Sequence, residues 1–141
     1  MKKLILLIAT VFMISSSYAQ AITSTDVPAP VAKTFVKSHP KVTTVEWTKA
    51  GDYYIANYVV DSTDRSATYT AAGKVIETEK QISVAALPTL AIKYVNENFK
   101  DGYVKKSTEI TSSKGKVTYS VKIKDVVLMF DSNGKYLKPT V

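Results

Sequence analysis

Apolar residues recur at two different spacings along this chain, and the spacing switches from one to the other twice. Val31 and Phe35, with Ala32 and Val36, fall on one face of a helix that starts at Pro28 and stops before Pro40. Leu87, Leu90, Ala91, Tyr94, Val95 and Phe99 repeat that stripe after Pro88, and Asp101-Gly102 closes it. After each helix the period drops from about 3.6 to 2. Val45 and Trp47 alternate with polar neighbours, then Tyr54, Ala56, Tyr58 and Val60, then Ala67 and Tyr69. In the second half Tyr119, Val121 and Ile123 alternate, followed by Leu128 and Phe130. Lys49 to Asp52, Ala71-Ala72-Gly73, Ser112 to Gly115, Lys124-Asp125 and Asp131 to Gly134 are turns; Asp61 to Arg65 is a polar connection. Turns of this kind between alternating runs predict antiparallel hairpins.

The order helix, then strands, occurs twice. Residues 27–83 and 84–141 therefore read as two repeats within one α+β domain over 27–141. Each repeat is one helix followed by about four antiparallel strands, with the helices on one face of the sheet. Neither half is large enough to fold comfortably alone, so the two are expected to share a core or one continuous sheet. Val45, Trp47, Tyr54, Ala56, Tyr58, Ala67 and Tyr69 should face the helices. So should Tyr119, Val121, Ile123, Leu128 and Phe130. The opposite face should carry Tyr53, Ile55, Asn57, Val59 and Thr68, with Thr118, Ser120, Lys122, Val127 and Met129. A solvated sheet face is mostly polar. Tyr53, Ile55, Val59, Val127 and Met129 depart from that, and aromatic and Met side chains are enriched where partners bind. These five, with Lys122 and Lys124 beside them, form the candidate partner-binding patch. The competing explanation is that another part of the protein covers this face.

The N-terminus changes the expected location. Lys2-Lys3, the apolar run Leu4 to Ile14 and the small residues to Ala19 predict a signal peptide over 1–19. Cleavage after Ala19 leaves Gln20 first, and Ala21 is the alternative cut. Residues 20–26 are small and polar and should be a flexible segment. The processed protein would be periplasmic or secreted, with no stable membrane anchor. It has no cysteine, so disulfides and thiolate chemistry are excluded. The net charge is +7, but the lysines are scattered and Arg65 is the single arginine. That argues against nucleic acid, whose sites lean on arginine and basic clusters. The scattered lysines read as ordinary solubility, with attraction to an acidic protein or peptide partner as the functional alternative. The oligomeric state is not legible.

The candidate chemistry is sparse. His39 is the single histidine, between Ser38 and Pro40, and reads as a solvated residue at a helix C-terminus. One histidine and no cysteine leave no zinc set. Asp131-Ser132-Asn133-Gly134 opens like a calcium loop but lacks the acidic residues that complete one. Glu77 and Glu79 share a strand face, as an acid and base pair would, yet read as solvated charges near a strand end. No phosphate-cradling glycine loop occurs. No catalytic residue, cofactor or metal is assigned, and the chain is not read as an enzyme.

Val27-Pro28-Ala29, Val45-Glu46-Trp47, Tyr54-x-Ala56-x-Tyr58, Ala71-Ala72-Gly73-Lys74 and Asp131-x-Asn133-Gly134-Lys135 resemble the PepSY-like, beta-lactamase-inhibitor-like family of exported bacterial proteins. The resemblance covers the whole segment after residue 20, with Thr70 standing where the second half has Asp131. It implies a fold like that of the beta-lactamase inhibitor protein, in which the open sheet face grips a target. No stretch identifies an inhibitor loop. The function expected is a non-enzymatic binding module for a protein or peptide. The alternative is an envelope accessory protein that binds a small anionic or lipid-like ligand. An enclosed apolar pocket between helix and sheet would favour the latter.

Overall fold

A computed structural model describes residues 19–139. The expected signal peptide lies outside these residues apart from Ala19. Two ten-residue helices form where the 3.6-residue stripe predicts them, α1 over Ala29–Ser38 and α2 over Thr89–Asn98. Each begins on a proline. The Pro28 carbonyl accepts the N–H groups of Val31 and Ala32, and Pro88 does the same for Ala91 and Ile92. The proline lacks an N–H to leave unpaired at that position. At the other end the N–H of His39 donates to the Phe35 carbonyl at 2.9 Å, and Phe99 donates likewise to Val95. The buried stripes are narrower than the sequence suggests. Val31 and Phe35 are buried on α1, and Ala91 and Val95 on α2. Val36 is 63% exposed and Leu90 55%, because one sheet covers only one side of a helix.

Among the described residues, nine strands follow chain order in one antiparallel sheet: β1 (Gln20–Ile22), β2 (Glu46–Ala50), β3 (Tyr53–Val60), β4 (Thr63–Thr70), β5 (Val75–Ile82), β6 (Val104–Ser112), β7 (Val117–Ile123), β8 (Val126–Phe130) and β9 (Tyr136–Leu137). This corrects the expected tandem repeat of one helix plus about four strands. β5 pairs with β6 from Glu77↔Ser112 to Ile82↔Ser107, straight across the supposed boundary at 83/84. The hydrogen-bonded unit is therefore the whole sheet. A further strand adds to it where a flexible segment was expected, since Gln20, Ala21 and Ile22 pair with Lys49, Thr48 and Trp47. The connection read at Asp61 to Arg65 is shorter too. Asp61 and Ser62 turn at φ +50° and +58°, the left-handed pair of a tight hairpin, and Thr63 to Arg65 already belong to β4.

The helices pack on one face of this sheet over two hydrophobic clusters. Under α1 lie Trp47, Ala56, Tyr58, Ala67 and Tyr69 with Val27, Val31 and Phe35. Under α2 lie Val121, Ile123, Leu128 and Phe130 with Leu87, Ala91 and Val95. Every residue expected to face the helices belongs to a cluster or packs against one. Aromatic edges set the packing, with Phe35 meeting Trp47 and Tyr58 at centroid separations of 5.5 and 5.2 Å. Two hairpin turns close against the helix starts. A Cβ on Gly134, at φ +87°, would lie 2.8 Å from the Ala91 nitrogen; one on Gly73, at φ +83°, would lie 2.6 Å from the Pro30 oxygen. Only glycine allows both the left-handed turn and that approach. The helices are thereby held to one face, and the other is left for the site.

Candidate functional site

Cross-strand register defines the face opposite the helices. One row across it runs Ile55–Thr68–Glu77–Ser112. The next runs Asn57–Ser66–Glu79–Ile110–Thr118. A third runs Gln81–Thr108–Ser120–Met129. No described element lies over these rows, yet Thr68, Glu77, Thr108, Ile110 and Ser120 are buried. A flat bare sheet would leave them wet. The sheet instead forms a trough whose neighbouring side chains shade these five positions on its floor.

Two cavities occupy this trough. A 310 Å³ cavity is lined by Tyr53, Ile55, Asn57, Ser66, Thr68, Glu77 and Glu79, with Ala50 to Asp52 at its rim. A wider, open groove of 710 Å³ continues along the strands past Glu46, Asp64, Arg65, Gln81, Lys106 and Thr108, and Glu79 lines both. A third hollow of 480 Å³ lies at the strand ends beside Lys49, Tyr54 and Ala71.

The candidate patch residues are distributed over this face. Tyr53, Ile55 and Val59 stand on β3, and Lys122 on β7 with Val127 and Met129 on β8. Lys124 is in the β7–β8 turn at φ +53°. Strands β3 and β7 are four spacings apart, about 19 Å at ~4.8 Å each, so the residues form two flanks and not one patch. Tyr53 and Ile55 share the 310 Å³ cavity. Lys122 pairs with Lys106 and Val127 on the far side.

The floor between the flanks holds the two carboxylates that the sequence places in solvent. Glu77 and Glu79 are not solvated charges near a strand end. They sit on β5, the central strand, and Glu77 is only 5% exposed. Burial pushes the Glu77 carboxyl up to about 7, and the neighbouring Glu79 charge adds to the shift. No hydrogen bond among the described residues offsets that burial. Glu79 is also raised by burial, but Lys106 and a hydrogen bond from Ser66 pull the other way. The face therefore carries two carboxylates on its floor, with Lys106 on the next strand acting on Glu79 and Lys122 beyond it. Cross-strand register with Thr68 was the signal that could have placed Glu77 there.

His39 is not solvated either. It is half-buried and stacks on Phe35 at 4.8 Å. Its Nδ1 donates to the Phe35 carbonyl at 3.3 Å, which leaves Nε2 of the neutral ring to accept the Tyr58 hydroxyl at 2.9 Å. Both ring nitrogens are thus engaged in holding the end of α1 to the sheet. The Asp131 turn is closed by its own backbone, with Asp131 Oδ1 accepting the N–H groups of Asn133 and Lys135. Among the described residues no three His, Cys, Asp or Glu side chains converge as metal ligands. No helix among them is long and apolar enough to cross a membrane.

Solved structures share this fold. A "putative periplasmic" protein from Bacteroides eggerthii superposes with a TM-score of 0.73 at 17% identity, over 79% of this chain and 86% of that one. A DUF2874 family protein from Bacteroides ovatus gives 0.68 at 22% identity, over 79% and 84%. A BLIP-like protein from Bacteroides fragilis gives 0.62 at 20%, over 77% and 82%. No curated protein matches the chain. The family model described as "Putative beta-lactamase-inhibitor-like, PepSY-like" matches residues 13–76 and again 56–138. The two matches overlap and together span nearly the whole described chain, so the chain belongs to the PepSY-like, beta-lactamase-inhibitor-like family.

Proposed function

We propose that this protein is an exported, non-enzymatic binding module of the bacterial envelope whose open sheet face holds a protein or peptide. One observation carries the reading: a curved sheet face with no described element over it, bearing Tyr53 and Ile55 on one flank and Val127 and Met129 on the other. Tyrosine supplies large contact area at low entropic cost and a hydroxyl for hydrogen bonding. Val59 and Val127 are exposed large apolar residues, which favour contact with a partner over solvent. The likeness to proteins described as periplasmic or BLIP-like, together with the basic start and apolar run at the N-terminus, supports export and an inhibitor-like mode of binding. The 310 and 710 Å³ cavities lie on the open face and the 480 Å³ hollow at its edge, where a polypeptide can reach them.

The test is capture from native envelope extract by wild-type protein and by Tyr53→Ala, with each captured species titrated against both. Tyr53→Ala should weaken the specific interaction by at least about 1 kcal/mol while the melting temperature stays near wild type. A partner that binds both forms equally would remove the open face from the reading. A Tyr53→Ala protein that melts far below wild type would place this residue in the core.

A further inference from the structure

We infer that the 310 Å³ cavity on the open face receives a lysine or arginine side chain of the bound polypeptide, with the Glu77 carboxylate as its counter-ion and Tyr53 and Ile55 lining its stem. This deepens the binding reading above and rests on it.

The chemistry of the cavity matches that side chain at both ends. Tyr53 and Ile55 form an aromatic and aliphatic wall on β3. Glu77 and Glu79 close the floor, with the hydroxyls of Ser66 and Thr68 beside them. A long basic side chain needs apolar surface along its methylenes and anionic acceptors at its head. An aromatic ring within reach adds attraction for the cation. Glu77 supplies the independent sign that something is missing. It is nine-tenths buried, its carboxyl opens into the cavity, and no hydrogen bond offsets the burial that raises its pKa. A buried carboxyl in that condition is costly unless an ionic or hydrogen-bonding partner arrives.

The groups that face Glu77 account for no internal partner. Thr68 stands opposite it on β4 and Ser112 on β6. Glu79 follows on its own strand, and Asp52 and Tyr53 stand at the cavity wall. Lys106 acts on Glu79 and lines the neighbouring groove but not this cavity. A divalent cation suits the cavity less well. Calcium takes six to eight oxygen ligands, and no three acidic or histidine side chains converge among the described residues. The cavity is also far larger than a bare ion fills.

The experiment uses wild-type protein first, so it does not depend on a variant folding. The protein is labelled with ¹³C at the glutamate carboxyls and titrated with n-butylammonium or ethylguanidinium chloride at fixed ionic strength. The Glu77 carboxyl should respond saturably, and its pKa should fall by about one unit or more. Sodium chloride at equal ionic strength should leave it unchanged. An identical response to sodium chloride overturns the inference, and so does saturation by calcium chloride without a response to either organic cation. In the second arm, Glu77→Gln is measured against the partner identified with Tyr53→Ala. A loss of about thirtyfold or more is expected, as for removal of one member of a buried charge pair. Loss with Tyr53→Ala but none with Glu77→Gln overturns the cation inference and leaves the open-face reading standing. Loss with neither overturns both.

Discussion

Burial of Glu77 has a measurable consequence for stability before any partner is considered. The carboxyl titrates at its ordinary value of 4.5 in the unfolded chain and is pushed up to about 7 in the fold. Between those values the folded state holds a proton that the unfolded state has released. Stability therefore falls as pH rises through that window, since the folded state binds more protons than the unfolded one. Below 4.5 both states are protonated and the deficit is absent; above 7 both are ionised and it is complete. At 1.36 kcal/mol per unit the difference amounts to about 3 kcal/mol. Glu79 is raised too and adds to the fall in the same direction. Glu77→Gln keeps the shape of the side chain and removes its titration and its repulsion of Glu79. Urea denaturation of both proteins at pH 5 and pH 8 reads the effect. About 2.5 kcal/mol of the loss falls between the two pH values, so with an m-value of about 2 kcal/mol/M the wild-type midpoint should drop by ~1.2 M more than the variant's. The same pH dependence in wild type and Glu77→Gln would refute the reasoning, because Glu77 would then be hydrated or paired in the fold.

Three further outcomes test the packing that positions the site. Trp47→Ala should cost about 3–5 kcal/mol in denaturant unfolding, since the ring is buried between Phe35 and Tyr69; a loss below 1 kcal/mol would mean that the sheet closes over the gap. Gly134→Ala should cost at least about 1 kcal/mol and lower the melting temperature, because its Cβ would meet the backbone of Ala91 at a turn with positive φ. Ser107→Ala should be neutral or stabilise by up to about 1 kcal/mol. Its hydroxyl is buried without a partner among the described residues, and a cost above that would reveal a bound water or a missed acceptor.

Local signals were legible in the sequence, and long-range ones were not. The helix stripes, the prolines at their starts and most hairpin turns are properties of a few adjacent residues. Alternation sorted the residues of β3, β4, β7 and β8 onto the correct faces. Val36 and Leu90 lie on the apolar stripe yet are exposed, because a helical stripe does not say how wide the opposing surface is. The three residues of β1 show no periodicity and become a strand only through Trp47 to Lys49. One continuous sheet is among the expectations, but the pairing that makes it is out of reach. Pairing of β5 with β6 joins residues more than twenty positions apart, across an intervening helix, and no local pattern encodes it. β5 was also the strand on which alternation failed. It reads Val-Ile-Glu-Thr-Glu-Lys-Gln-Ile, polar at both parities, so neither face announces itself. Glu77 and Glu79 were therefore assigned to water by composition.

That failure on β5 is itself informative. Elsewhere on the trough floor the buried positions carry Thr68, Thr108, Ile110 and Ser120, which are uncharged and cost less to bury than a carboxylate. A threonine would fit the same pattern at position 77, beside Thr68, without a charge. The chain instead places a carboxylate there, and a second at Glu79, on the central strand and at the foot of the cavity walled by Tyr53 and Ile55. Nothing in the packing of the helix face calls for either, because both point away from it. Departures from local economy of this kind concentrate where a protein meets its ligand. The stability given up at Glu77 above pH 7 is restored when a cation enters, since pairing lowers the carboxyl again. Binding at the trough and stability of the sheet are then linked through one side chain, and a partner that supplies the cation should raise the melting temperature most where the free protein is weakest, on the alkaline side.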